Sequence, residues 1–151
     1  MAKVTLNIAK AYDDGFIENI EKTKFFQLNK NATTRTDLYC FAMALCEMES
    51  KAPSSISEVG SVKSFVRTEF LTNCEPLLSS LYYDKCLKNN PEKIDDLCNR
   101  DEVYSLAEKS ANTGFGILKE WIETMDEETM FYKLIGYMDK QFEEIKDELS
   151  Q

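Results

Sequence analysis

Residues 33–46, Thr-Thr-Arg-Thr-Asp-Leu-Tyr-Cys-Phe-Ala-Met-Ala-Leu-Cys, limit most strongly what this chain can become. Leu38, Phe41, Ala42 and Leu45 recur at the spacing of one stripe of an α-helix. Tyr39, Met43 and Cys46 make the opposite side apolar as well. A helix that is apolar around most of its circumference has to be surrounded by other elements. This segment therefore predicts a central helix, opened by Thr34 and Asp37 in the manner of a capping box.

The rest of the chain supplies the surrounding helices. Only five Gly and three Pro interrupt 151 residues, and alternating strand patterns are scarce. Residues 1–12 read as a short strand or a lead-in to a helix. Asp13 and Asp14 precede Phe16, Ile17 and Ile20, which read as a short amphipathic helix, and Phe25, Phe26 and Leu28 follow as an apolar patch. Residues 50–61 are a loop by composition and a candidate partner-contacting segment. A helix over 61–72 would present Val62, Phe65, Val66 and Glu69. A second over 76–88 would start at Pro76 and bury Leu77, Leu78, Leu81 and Tyr82. Asn89-Asn90-Pro91 stops it, residues 95–98 form a turn, and a helix runs over 101–111. Asn112-Thr-Gly-Phe-Gly then bends that helix or allows close packing, and Ile117, Leu118, Trp121 and Ile122 resume its apolar face. Together these segments predict one all-α domain over residues 1–151, a bundle of about six helices with a long C-terminal helix.

That last helix carries the clearest partner signal. Thr124 and Glu127 make a capping box, and Phe131, Ile135, Met138, Phe142, Ile145 and Leu149 then alternate four and three residues apart. Such a seam suits packing first on the bundle and then on another chain, including a second copy of itself. Charge marks the same region. Residues 1–91 hold 11 acids and 11 bases, whereas residues 92–151 hold 16 acids and 7 bases, so the whole net charge of −9 lies in the final 60 residues. A field of this sign disfavours nucleic acid and anionic membrane surfaces and suits a basic protein partner.

Chemistry is harder to place. With no histidine, the commonest general base and metal ligand is missing. The nucleotide-binding glycine motifs and the hydrolase nucleophile motif are also missing. The five cysteines, Cys40, Cys46, Cys74, Cys86 and Cys98, include no C-x-x-C pair, and Cys40, Cys46 and Cys86 sit among apolar neighbours. A zinc site would need four of these thiolates from separate helices, so no metal, no cofactor and no catalytic residue is expected. Adjacent acids such as Asp95 and Asp96 diverge on a helix. The chain has three arginines against fifteen lysines: Arg35, Arg67 and Arg100. Arginine suits two-pronged recognition of carboxylate or phosphate, so these three would form an anion or partner contact if the fold brings them together. Arg35-Thr-Asp-Leu and Arg67-Thr-Glu-Phe are alike and about one helical repeat apart, a hint of a solenoid. No apolar run is long enough to span a membrane, and the N-terminus lacks a secretory h-region, which points to the cytoplasm.

Residues 30–45, Lys-Asn-Ala-Thr-Thr-Arg-Thr-Asp-Leu-Tyr-Cys-Phe-Ala-Met-Ala-Leu, resemble the leading motif of small accessory proteins found with bacterial DNA-phosphorothioation and related phage-defence systems. Arg35, Asp37 and the Phe41-to-Leu45 run carry the likeness, while Cys46 stands where such proteins tend to have Gly. The resemblance implies a bacterial or phage setting and an accessory role, and assigns no functional residue. The expected function is a non-catalytic interaction or regulatory subunit. The alternative is an acidic inhibitor or nucleic-acid mimic that fills the basic groove of a nuclease or defence protein.

Overall fold

The computed structural model describes residues 3, 5–13, 16, 17, 20, 35–55 and 62–150. Strand β1 (Thr5–Ala9) leads directly into a single turn, α1 (Lys10–Asp13). Phe16, Ile17 and Ile20 are helical and buried. The chain continues through α2 (Arg35–Met48), β2 (Val62–Arg67), a 3-10 segment (Thr68–Cys74), α3 (Glu75–Tyr82), a π-helical turn (Tyr83–Leu87) and a second 3-10 segment (Pro91–Cys98). Two long helices, α4 (Arg100–Thr124) and α5 (Glu127–Leu149), complete it. The protein is a helical bundle, with β1 and β2 paired antiparallel as a two-stranded ribbon.

Its centre is the packing of α2 on α4. Leu38, Ala42 and Leu45 of the α2 stripe are buried and its Phe41 is half-buried, while Tyr39, Met43 and Cys46 on the opposite side are buried as well. On α4 the buried line runs through Val103, Ala107, Ala111, Phe115, Leu118 and Trp121. Gly114 explains how closely the two helices approach. A Cβ at that position would lie 1.6 Å from the backbone oxygen of Ala42, so any side chain there would force the helices apart. Tyr39, Phe65 and Phe115 meet beside this crossing with ring centroids 5.6–6.0 Å apart, joining β2 to both helices. Of the two readings of Asn112-Thr-Gly-Phe-Gly, a bend or close packing, the structure supports close packing at Gly114, and the helix is not interrupted there: α4 is continuous from Arg100 to Thr124.

Several other expectations are corrected. Residues 62–67 are a strand, not the start of a helix. The pairing shifts register between Leu6 and Asn7, which lie opposite Val66 and Ser64, leaving Phe65 as the extra residue of a bulge. Phe65 and Val66 therefore both face the core, and the resulting apolar spacing imitates a helical stripe. Arg67 ends a strand, whereas Arg35 and Arg100 open helices, so the three arginine segments are not one structural repeat. Leu77 is exposed, because the single buried face of α3 is occupied by Leu78 and Tyr82. The cap of α5 is Asp126, whose carboxylate accepts the Thr129 N–H at 2.7 Å, while Thr124 bonds back to the Glu120 carbonyl and closes α4. Of the three cysteines expected in the core, Cys46 is buried and Cys40 and Cys86 are half-buried. Thr34, the patch at Phe25, Phe26 and Leu28, and residues 56–61 lie outside the described residues. The described part of the central loop is fastened to α4: Ser54 N–H donates to Thr113 Oγ1 at 3.0 Å, and Asn112 Nδ2 donates to Ser54 Oγ at 3.3 Å.

Candidate functional site

Helix α5 meets the body along one narrow line. Met130 is buried, and Leu134 and Tyr137 are half-buried against the core. The Tyr137 ring stacks on Trp121 of α4 with centroids 6.4 Å apart and planes 2° from parallel. Lys133 places its ammonium 4.3 Å above the Trp121 ring and 2.9 Å from Glu49 at the end of α2. The Tyr137 hydroxyl donates to the same Glu49 carboxylate. That bond, with help from Lys133, holds Glu49 below its ordinary carboxylate value. Burial, followed by the hydrogen bond to Glu49 and then that carboxylate's charge, pushes the Tyr137 hydroxyl up to about 12.

The heptad seam faces elsewhere. Phe131, Ile135 and Met138 each follow a docking residue by one position, about 100° around the helix. Packing of the seam on the bundle, expected at least at its start, is not what the structure has. Phe131 is 54% exposed, Ile135 37%, Met138 68%, Phe142 64%, Ile145 53% and Leu149 84%. At roughly 150–200 Å² per large side chain, this stripe leaves about 600 Å² of apolar surface open, the upper end for a monomeric protein. Tyr132, also exposed, meets Phe131 edge-on and widens the stripe. From Met138 to Ser150 every residue is exposed, so about 18 Å of helix has no buried side chain. Asp139, Glu143, Glu144, Asp147 and Glu148 lie along this stretch with only Lys140 and Lys146. Those lysines pair with Glu144 and Glu143, at 3.7 and 3.4 Å.

The arginines divide into two places. Arg35 and Arg67 line one groove of about 670 Å³ between the start of α2 and the β2 end of the ribbon. Arg100 lines a separate hollow of about 160 Å³ and pairs with Glu75 at 3.4 Å. Sequence reasoning missed two features of the first groove: Phe70, an exposed aromatic at its edge, and the approach of Cys74 to Cys40, with sulfurs 3.6 Å apart. The 34-residue interval between these cysteines carries no signal of their proximity; only the strand at 62–67 creates it. Burial first, then Cys74, pushes the Cys40 thiol up to about 12, so it stays protonated near neutral pH and is no activated nucleophile. Among the described residues no group of three or more acids or cysteines is placed to hold a metal ion. No helix among them is long and apolar enough to cross a membrane.

Searches against family models, curated proteins and solved structures return no match to this chain. What its own architecture defines is a helical bundle with a two-stranded ribbon, whose last helix turns an apolar seam outward.

Proposed function

We propose that this chain is a non-catalytic interaction subunit that binds a protein partner along α5. The observation that carries the reading is the exposure of all six seam residues while a different face of the same helix docks on the body. A helical stretch of about twelve residues is marginal by itself in water, and an apolar stripe on it gains most by being covered. The surrounding carboxylates favour a partner helix with an apolar seam and basic flanks. By the resemblance of residues 30–45, the proposed setting is a bacterial or phage defence system and the role an accessory one.

The test uses a synthetic amphipathic peptide with a leucine seam and lysine flanks. It should bind the full chain with an affinity that falls as salt rises, and the double variant Phe142→Asp, Ile145→Asp should lose binding while circular dichroism and Trp121 fluorescence stay unchanged. Loss of the fold in that variant, or unchanged binding, would remove the reading. Measuring mass in solution separates self-association through α5 from capture of a different chain. A second reading, the acidic inhibitor or nucleic-acid mimic, is favoured by Asp139, Asp147 and Glu148, which have no ion pair among the described residues. It predicts binding to a basic groove that survives the seam variant and fails when those carboxylates are neutralised.

A further inference from the structure

We propose that the groove holding Arg35 and Arg67 binds a small organic anion that carries a flat apolar group. Four features converge there. Its volume, about 670 Å³, suits a small molecule. Two of the chain's three arginines line it, brought from different elements, although lysine is five times as frequent in the sequence. The Arg35 guanidinium lies 5.2 Å over the Phe65 ring, which orients its flat donor fork before any ligand arrives. Phe65, Val66 and Phe70 supply the apolar lining, and Phe70 is 63% exposed, an open platform for a ring.

The local charge balance permits an anion. The groove belongs to the part of the chain whose acids and bases cancel, not to the acidic C-terminal third. Asp37 also lines it, and Glu69 pairs with Arg67 at 3.4 Å. Both members of that pair are exposed, at 69% and 61%, so the bridge is of the kind that contributes little and that an incoming carboxylate or phosphate can replace. Asn73 adds a neutral polar group to the lining. A bare ion would use the arginines alone; the aromatic lining selects an anion attached to a ring.

Calorimetric titration of the full chain with phenyl phosphate, benzoate, inorganic phosphate and benzyl alcohol tests this. Phenyl phosphate or benzoate should bind at least tenfold more tightly than inorganic phosphate or the neutral alcohol, and whichever is tighter identifies the anionic group. Arg35→Gln and Arg67→Gln should each weaken that binding about tenfold, Phe70→Ser should erase the preference over inorganic phosphate, and Arg100→Gln should change nothing. The proposal is overturned if neither ring anion binds, if the alcohol binds as well, or if Arg100→Gln weakens binding as much as the other two. The arginines are exposed, so these variants should keep the wild-type circular dichroism, and one that does not is replaced by the corresponding Arg→Lys change, for which loss of two-pronged binding predicts the same direction.

Discussion

Replacing Gly114 with alanine tests the helix crossing on which the rest of the bundle is hung. On an exposed helix this change would stabilise by about 1 kcal/mol, because alanine restricts the unfolded chain and favours helical backbone. Here the added carbon would sit 1.6 Å from Ala42 O, 2.4 Å from its carbonyl carbon and 2.9 Å from its Cα, all of them backbone atoms that no rotamer change can move. Restoring ordinary contact requires α2 and α4 to separate by roughly 2 Å, which opens gaps around the ring cluster of Tyr39, Phe65 and Phe115. Overpacking alone costs about 1–3 kcal/mol, and the gaps add to it, so the net loss should reach about 3 kcal/mol after the helical gain is subtracted. For a chain of this length that is a fall in Tm of roughly 6–12 °C by thermal circular dichroism. Gly136 supplies the contrast: nothing lies within 4 Å of its added Cβ, so Gly136→Ala should raise Tm by roughly 2–4 °C. A neutral or stabilising Gly114→Ala would mean that α2 and α4 do not cross at this point.

Two further outcomes follow from the side chains that hold α5 and line the groove. Glu49 is held below its ordinary value of 4.5, so its contribution is complete above that pH and disappears as pH falls through the lower folded value. Tyr137 is raised from 10.0 to about 12, so its contribution is complete below 10 and disappears as pH rises toward 12. Trp121 fluorescence should therefore be flat from about pH 5 to 9 and change outside that window, and Tyr137→Phe should remove the alkaline arm and shrink the acid arm, which Lys133 still supports; an unchanged titration in the variant would refute the assignment. At the groove, oxidation by a small-molecule disulfide should join Cys40 to Cys74 before any other pair, since their sulfurs need to close by only about 1.5 Å. Mass spectrometry should find the loss of two hydrogens mapped to that pair, at a rate rising with pH because Cys40 is protonated at neutrality; an intramolecular bond elsewhere would contradict the geometry.

The sequence made the centre of the fold readable and its approaches less so. In α2 the apolar residues encircle the helix, and only burial satisfies that pattern, whatever the partners are. In β2 the bulge places Phe65 and Val66 on the same side, so the strand lacks the alternation by which strands are recognised. At residues 112–116 a bend and a close crossing demand the same glycine, and only the position of Ala42 distinguishes them. Thr124 and Asp126 both have cap chemistry, and the choice falls to Asp126 because Thr124 still belongs to α4. The heptad seam was visible as a pattern, yet its outward direction was not: Met130, Leu134 and Tyr137 offer a competing stripe, and the Trp121 ring decides which one turns inward. Two arginines converge because β2 ends beside the start of α2, a tertiary pairing that no local spacing encodes.

The uneven support of α5 has a kinetic consequence. Its first turns are braced by Trp121 and Glu49, whereas the amides beyond Tyr137 rest on backbone bonds alone and should exchange their hydrogens in a gradient that quickens toward Leu149. Any molecule that clasps this rod must also quiet its fraying, so part of the contact energy goes into ordering and the grip is weaker than its area suggests. On the reading proposed above, a complex made this way would release its partner readily.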